Sequence, residues 1–238
     1  MSVVVASAKG GVGKSSFCAG VGKMLASHKR KTLLVDMDTG ARSLDILLGV
    51  AEKTVYNWGD VLDGNCDVHK AIIPINPFLS LIAAPLGFSE TYTPDSLKKM
   101  ISLLEHEYEF ILLDAPAGTD SGFNLCAACA DGCIIVSTPD PVSIRAASGA
   151  SSLVRKCGIN NVRLVINRFN KKSKFNNCVD DYIDEVGAQL LGIIPESDEI
   201  FAFSNGCEIP YDCKGNLAFL RISKRMCGEN VPFRIKNI

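Results

Sequence analysis

The sequence predicts a doubly wound α/β fold, in which helices cover both faces of one mostly parallel sheet. Short apolar runs alternate along the chain with segments of helical periodicity, an order that favours parallel strands joined by right-handed crossovers. Runs such as FILLD (110–114) and VRLVIN (162–167) are apolar at almost every position, as strands buried on both faces require. The 238 residues suffice for one large core and contain no linker, repeat or low-complexity tract. We therefore expect residues 1–238 to form a single domain.

Periodicity predicts seven strands and eight helices. Strands are expected at 2–6, 32–36, 79–84, 110–114, 133–138, 162–167 and 190–194. Helices are expected at 14–28, 57–64, 95–107, 121–131, 141–157, 178–188, 197–204 and 216–227. Because strand and helix alternate throughout, we expect parallel pairing, with ligands bound at the carboxyl ends of the strands.

The composition excludes several classes of protein. With 47% apolar and 21% charged residues, the chain is not of the intrinsically disordered type. A net charge of −1 gives no general attraction for nucleic acid or for an anionic membrane. The first residues, MSVVVASAKGG, lack the features of a signal peptide, and no apolar run approaches the roughly 18 residues of a membrane span. A soluble, cytosolic protein is expected.

The ten cysteines require an explanation in a chain expected to be cytosolic. Disulfides are not expected in a reducing compartment. A metal or iron–sulfur site needs about four converging ligands, whereas the segment CAACADGC (126–133) supplies three thiols and no histidine. We therefore favour buried thiols that act as small apolar side chains, with a metal site as the alternative.

The segment ASAKGGVGKSS (6–16) connects the first predicted strand to the first predicted helix. It ends in the G-K-S of the phosphate-binding pattern G-x-x-x-x-G-K-[ST], although Ala8 stands at the first glycine position. Glycines let the backbone turn its N–H groups towards phosphate oxygens, and the following helix adds its positive amino end. Lys14 would reach the terminal phosphates, and the Ser15 hydroxyl would bind Mg²⁺. The expected phosphate-binding residues are Gly10, Gly11, Val12, Gly13, Lys14, Ser15 and Ser16.

Acidic residues end two predicted strands that should open into the same crevice. TLLVDMDTG places Asp36 and Asp38 two residues apart, on one side of an extended segment. FILLD ends in Asp114, at the position of a Walker B aspartate that holds Mg²⁺ through water. Any one of these aspartates could be a turn or helix-capping residue. Together, beside a phosphate loop, they favour a magnesium–nucleotide site.

A second lysine, Lys9, stands among the glycines of the loop, where one bound nucleotide needs only Lys14. With this extra lysine, KGGVGKSS resembles the deviant Walker A motif of the ParA/MinD family of ATPases. The segments VDMDTGARSLDILLG, DAPAG, STPDPVSIRAAS, LVINR, GIIPE and VPFR follow in that family's order and are most similar to its MinD branch. The resemblance covers nearly the whole chain.

This resemblance implies a slow ATPase that acts as a spatial switch in division-site placement or a related positioning process. Two protomers would enclose two ATP molecules with Mg²⁺, and Lys9 would cross to the partner's phosphates. Asp38 would orient the attacking water, and the metal site would comprise Ser15, Asp38 and, in its second shell, Asp114. The adenine would be framed by Asn167, Arg168, Pro195 and Glu196. The resemblance also implies an activating protein partner and a cytoplasmic location, which could include peripheral contact with the inner face of the cell membrane.

Two departures from the family bear on membranes and partners. Members typically extend beyond VPFR into an amphipathic membrane helix, whereas only IKNI (235–238) follows here, too short for a stable helix. The preceding helix carries an apolar stripe of Leu217, Leu220 and Met226, and we favour a core helix over a membrane-surface helix. Membrane contact is therefore not favoured. Ala146 and Ser148 stand where the MinD branch carries two aspartates, so recognition of that branch's partners is not implied.

Other functions stay open. A DNA-partition ATPase of the ParA branch would use basic runs such as HKRK (28–31) and NKKSK (170–174), although both runs are more typical of solvated surface. A redox or cluster-carrier relative would need cysteines at a dimer axis or a late C-x-x-C pair. Cys207 and Cys213 do not have that spacing, and DAPAG carries no cysteine after its aspartate. A non-enzymatic nucleotide switch would differ only in lacking turnover.

Overall fold

Eight strands form one twisted sheet in the computed structural model, which describes residues 1–89, 91–118, 121–170 and 179–233. The order across the sheet is β3-β4-β2-β5-β1-β6-β7-β8. The strands are β1 Ser2–Ala6, β2 Thr32–Asp36, β3 Ile72–Asn76, β4 Leu79–Ile82, β5 Phe110–Asp114, β6 Gly132–Ser137, β7 Asn161–Phe169 and β8 Gln189–Pro195. All seven predicted strands are present, and they pair in parallel.

Helices cover both faces of this sheet, which confirms the predicted fold class. They are α1 Lys14–Ser27, α2 Leu44–Leu47, α3 Trp58–Leu62, α4 Pro94–Leu104, α5 Ser121–Ala127, α6 Pro141–Lys156, α7 Val179–Val186, α8 Asp198–Ser204 and α9 Lys214–Met226. Short 3₁₀ helices lie at Ala51–Lys53 and Val68–Ala71. One core lies between the sheet and α1, α2, α8 and α9, and a second lies between the sheet and α3 to α7.

The sequence analysis missed β3, the one antiparallel strand among the described residues. β3 pairs with β4 at one edge of the sheet, with Ile73 opposite Leu81. Only Ile73 of this strand is buried, and Pro74 interrupts its apolar pattern. Because proline cannot donate a backbone hydrogen bond, a strand that contains one belongs at an edge. The rule that alternating strands and helices give parallel pairing does not hold for this pair.

Helix α9 is a core helix, as favoured from the sequence, but the predicted apolar stripe is not its most buried face, although Leu220 and Met226 pack against the core. Leu217, Leu220 and Met226 are only half-buried, whereas Ala218, Phe219 and Ile222 are fully buried. Relative to the predicted orientation, α9 is rotated about its axis, because two glycines on neighbouring elements leave space for large side chains of its other face. The Phe219 ring fills the notch at Gly20 of α1, and Ile222 fills the one at Gly192 of β8.

The prediction of buried thiols holds for some cysteines and fails for others. Cys18, Cys126, Cys129 and Cys133 are buried, and burial raises the pKa of Cys129 and of Cys133 to about 12, so both stay neutral. Cys157 and Cys207 are exposed and were predicted wrongly, while Cys66, Cys213 and Cys227 are half-buried. No three histidine, cysteine or acidic side chains in the described part of the chain form a group that could hold a metal ion by themselves.

Several expectations concern residues outside the described ranges. These are Cys178, most of the basic run 170–174 and the tail 235–238. Among the described helices, none combines the length and the apolar character that crossing a bilayer would require.

Candidate active site

The loop between β1 and α1 has the backbone geometry that its glycines suggested. Gly11 and Gly13 have φ angles of +74° and +94°, a left-handed conformation that favours glycine. Gly13 precedes α1, and its carbonyl accepts the first helical hydrogen bond, from the Phe17 amide at 2.9 Å. The amide groups of the first turn, including those of Lys14 and Ser15, have no acceptor within the helix. The loop therefore presents free donors at the positive end of α1.

Asn167, near the end of β7, contacts this loop through its side chain. Its amide group donates to the Val12 carbonyl at 2.7 Å, and its side chain is buried. A Cβ atom at Gly13 would lie 2.4 Å from the Asn167 amide nitrogen, so a larger residue there would have to displace the Asn167 side chain. The sequence analysis placed Asn167 at the adenine. In the structure its amide is directed at the phosphate loop.

The acidic residues lie beside the loop because β1, β5 and β2 are neighbours in the sheet. Asp114 at the end of β5 is in register with Val5 of β1 on one side and with Asp36 of β2 on the other. Carboxyl ends of parallel strands point the same way, so Asp36, Asp38 and Asp114 meet the loop at one edge. The structure brings together the predicted Lys14, Ser15, Asp38 and Asp114.

Asp114 is fully buried, and neither of its carboxylate oxygens has a hydrogen-bond partner within the described residues. Burial, and secondarily the negative charge of Asp36, raise its pKa to about 7, against the opposing effects of Ser15 and Lys14. Ser15 and Lys14 only partly offset the burial of this carboxylate, which leaves its oxygens able to take a further partner. A hydrated magnesium ion beside the Ser15 hydroxyl fits this role, because Mg²⁺ keeps several waters and takes few protein oxygens.

Asp36 shapes the segment that carries Asp38, a role the sequence analysis did not assign. Its buried carboxylate accepts hydrogen bonds from the amides of Asp38 at 3.0 Å and Leu44 at 2.9 Å. Burial raises its pKa to about 6. Residues 38–44, called the switch segment below, are thus held at both ends. Asp38 is half-buried, and its Oδ1 accepts from the amides of Gly40 and Ala41, both at 3.1 Å.

Lys9 forms an ion pair with Asp140 of its own chain. Its ammonium lies 3.1 and 3.3 Å from the two Asp140 oxygens, and both side chains are 40% exposed. Asp140 also caps α6 by accepting from the Ser143 amide, and it accepts from the Thr138 hydroxyl at 2.6 Å. Partial burial acts to raise the pKa of Asp140, but hydrogen bonds from Thr138, Ser143 and Lys9 hold it well below its usual value. Sequence reasoning missed Asp140, although Asp-Pro before a helix is typical of a cap.

A cleft of about 600 Å³ opens next to the loop. It is lined by Lys9, Gly10, Gly11, Val12, Thr138, Pro139, Asp140, Arg168, Asn170 and Glu196. Two of the predicted adenine residues, Arg168 and Glu196, therefore face it, while Pro195 is buried at the end of β8. A larger cavity of about 760 Å³ lies near α9 at the opposite ends of β6 to β8 and includes none of the predicted site residues. The smaller cleft is the candidate nucleotide site because the phosphate loop forms one of its walls.

Comparison with known proteins places the chain in a family. Residues 3–207 match the CobQ/CobB/MinD/ParA nucleotide binding domain. The septum site-determining protein MinD of Bacillus subtilis is 32% identical over 98% of this chain and 91% of its own length. The MinD of Synechocystis is 33% identical over 97% of this chain and 91% of its own.

Solved structures agree with this assignment. MinD in a MinC:MinD cell division protein complex from Aquifex aeolicus is 32% identical, with a TM-score of 0.89 over 98% of both chains. MinD of Pyrococcus horikoshii, solved with Mg-ADP, has a TM-score of 0.85 over 94% of this chain and 95% of its own, and at 24% identity it supports the fold alone. The phosphate loop, the acidic strand ends and these likenesses lead to one conclusion: the chain belongs to the MinD/ParA family of nucleotide-binding ATPases.

Proposed function

We propose that this protein is a MinD-like ATPase that binds MgATP, hydrolyses it slowly and acts as a spatial switch in division-site placement. The observation that carries the proposal is the meeting of Lys14 and Ser15 with Asp38 and Asp114 at the ends of three neighbouring strands. The MinD relatives, with identities above 30% over nearly the whole chain, supply the cellular role. We take residues 1–238 as a single ATPase domain.

The proposed chemistry depends on position and charge. The loop amides and the amino end of α1 would hold the phosphates of ATP, and the Lys14 ammonium would offset the charge that develops on them. Bound magnesium would add a cation at the same phosphates, held by the Ser15 hydroxyl and, through water, by Asp114. Asp38 would orient the attacking water. No strong general base lies among these residues, so slow turnover is expected until a partner improves the geometry.

The base of the nucleotide would occupy the cleft beside the loop. Arg168 and Glu196 line this cleft, which supports their proposed place at the adenine. Pro195 would support the same site from the end of β8. Asn167 would act on the phosphates indirectly, through its hydrogen bond to the Val12 carbonyl.

The active form would be an ATP-dependent homodimer in which Lys9 reaches the partner's nucleotide. The MinC:MinD complex from Aquifex aeolicus, which contains a similar chain, supports the proposal that this protein also binds an activating or effector protein. The partner surface would differ from that of other MinD proteins, because Ala146 and Ser148 on α6 carry no charge. We place the protein in the cytoplasm, with any membrane contact peripheral.

A DNA-partition role is less well supported. The HKRK run lies at the end of α1 farthest from the nucleotide site, and Arg30 pairs with Glu109 at 2.9 Å. DNA binding that requires ATP and weakens steeply with salt would favour the partition role over the division-site role.

Replacement of Lys14 by alanine tests the nucleotide site. Lys14 is only 8% exposed and stands at the start of α1, so Lys14→Ala should weaken MgATP binding at least about 100-fold in calorimetry. Lys53→Ala, which removes an exposed lysine away from the site, is the matched control and should bind normally. Unchanged affinity in Lys14→Ala would show that the site is assigned wrongly.

A further inference from the structure

Trp58 connects the carboxyl ends of two strands from inside the core. It is the only tryptophan of the chain and is fully buried at the start of α3. Its indole N–H donates to the backbone carbonyl of Asp36 at 2.8 Å. Its backbone amide donates to the carbonyl of Ala83, just beyond β4, at 3.1 Å. These two hydrogen bonds fix the position of the Trp58 ring next to Asp36.

The hydrogen bond from Trp58 meets Asp36 at the point where β2 ends. Through its side chain, Asp36 holds the amides of Asp38 and Leu44, the two ends of the switch segment. The indole N–H satisfies the Asp36 carbonyl in this buried position, where an unpaired carbonyl is strongly disfavoured. The peptide between Asp36 and Met37 is thus held on both sides: its N–H donates to the Asp114 carbonyl at 3.0 Å, and its carbonyl accepts from Trp58.

Trp58 packs against one aromatic ring, Tyr92, which in turn packs against Phe88. Tyr92 packs edge-on against Trp58, with ring centroids 4.9 Å apart and an interplanar angle of 67°. Phe88 packs edge-on against Tyr92 at 5.8 Å and is 45% exposed. Edge-to-face pairs restrict rotation of both rings. Trp58 therefore has little freedom to follow the Asp36 carbonyl if that carbonyl moves.

We infer that Trp58 is a positioning residue for ATP hydrolysis: its indole N–H fixes the Asp36 carbonyl and thereby the switch segment that presents Asp38. This inference rests on the proposed function for its effect on turnover, but its structural part does not. Trp58 is not among the residues that line the cleft, and its hydrogen bonds go to Asp36 and Ala83. Loss of its N–H should therefore change hydrolysis without changing ATP binding.

Because Trp58 is the only tryptophan, uniform incorporation of an analogue changes this position alone. Benzothienylalanine keeps the bicyclic shape and replaces the N–H by sulfur, while 7-azatryptophan keeps the N–H and serves as the matched control. The first analogue should lower kcat for MgATP by about 10-fold or more, with KM within about 2-fold of the parent, and 7-azatryptophan should leave both close to normal. Trp58→Phe should repeat the effect of benzothienylalanine.

Hydrogen exchange supplies a readout that does not require turnover. In the nucleotide-free protein, the amides of Asp38 and Leu44 should exchange about 10-fold faster with benzothienylalanine than with 7-azatryptophan. Tyr92→Phe, which removes only a hydroxyl 3.5 Å from Asp63, should change neither exchange nor kcat. Faster exchange throughout the sheet would show a general loss of stability and would overturn the inference.

The possible failures are distinguishable. Absence of ATP turnover in the unmodified protein would overturn the proposed function, and the exchange rates would then still decide the structural part. Normal turnover and unchanged exchange with benzothienylalanine would overturn the inference alone. So would a rise in KM that matches the fall in kcat, since that result would assign Trp58 to binding. In an Asp38→Ala background, benzothienylalanine should have no further effect on residual turnover, and an undiminished effect there would also contradict the inference.

Discussion

Asp114 makes the stability of the nucleotide-free protein depend on pH. Burial raises its pKa from 3.8 to about 7, and the pKa of Asp36 is raised to about 6 for the same main reason. Between pH 4 and 7 the native state keeps protons that the unfolded chain has lost. The protonated carboxyl groups therefore contribute their full stability below about pH 4. The contribution of Asp36 is lost as the pH rises through about 6, and that of Asp114 as it rises through about 7. Magnesium and nucleotide would offset this loss at neutral pH.

We predict that Asp114→Asn flattens this pH dependence. Asparagine removes the buried charge, so the nucleotide-free variant should be more stable than the parent at pH 8, by roughly 1–3 kcal/mol, and closer to it at pH 5. Urea unfolding followed by Trp58 fluorescence at the two pH values measures the difference. Asp95→Asn, at an exposed position on α4, is the control, and its free energy of unfolding should show the same pH dependence as that of the parent. An Asp114→Asn curve parallel to the parent would show that Asp114 does not titrate in this range.

The sequence was informative about residues whose role depends on near neighbours. Gly13, Lys14 and Ser15 could be identified because the loop geometry is encoded within eight residues. Asp140 and Trp58 could not, because their roles depend on contacts with Lys9, 131 positions away, and with Asp36, 22 positions away. No periodicity or motif reports such pairs.

At the scale of elements, the buried strands were predicted well, whereas the edge strand β3 and the rotation of α9 about its axis were not. A strand that is apolar on both faces has an unambiguous pattern, and β5 was predicted residue for residue. The edge strand β3 has exposed positions and a proline, so its pattern resembles a loop. The rotation of α9 depends on glycines in α1 and β8, which the sequence of α9 does not contain.

The contact between α1 and α9 leads to a prediction about stability. A Cβ atom at Gly20 would lie 2.6–2.7 Å from three ring atoms of Phe219, and both residues are buried. Gly20→Ala must therefore displace the ring and should lower the free energy of unfolding by about 1–3 kcal/mol. Urea unfolding measures this change, and ATP affinity should stay close to the parent value because the phosphate loop is not touched.

Gly149→Ala on α6 is the matched control for this prediction. No atom lies within 4 Å of a Cβ at Gly149, so only the helix preference of alanine should act. That substitution should stabilise the protein by up to about 1 kcal/mol. If Gly20→Ala were also stabilising, the tight packing of Phe219 on α1 would have to be abandoned.

At the scale of the whole molecule, Lys9 would have two competing partners in the proposed dimer. Within one chain it pairs with Asp140, but both side chains are 40% exposed, and such a pair contributes only about 0–1 kcal/mol. A triphosphate in a closed interface offers more charge and less water. In a dimer each nucleotide would contact both subunits, so ATP would stabilise only the paired state, at two symmetric contacts. On the proposed function, we therefore expect Lys9 to exchange Asp140 for the partner's phosphate when the dimer forms.

We predict that Lys9→Ala keeps the monomer folded and able to bind ATP through Lys14, but abolishes ATP-dependent dimerisation and most turnover. Dimerisation is best measured by light scattering with MgATP in an Asp38→Ala background, where hydrolysis does not deplete the bound state. Lys53→Ala in the same background is the control and should dimerise normally. Loss of one lysine–phosphate contact per subunit should raise the dimer dissociation constant at least about 100-fold. A Lys9→Ala variant that dimerises as well as its control would mean that Lys9 serves only its own chain, through Asp140.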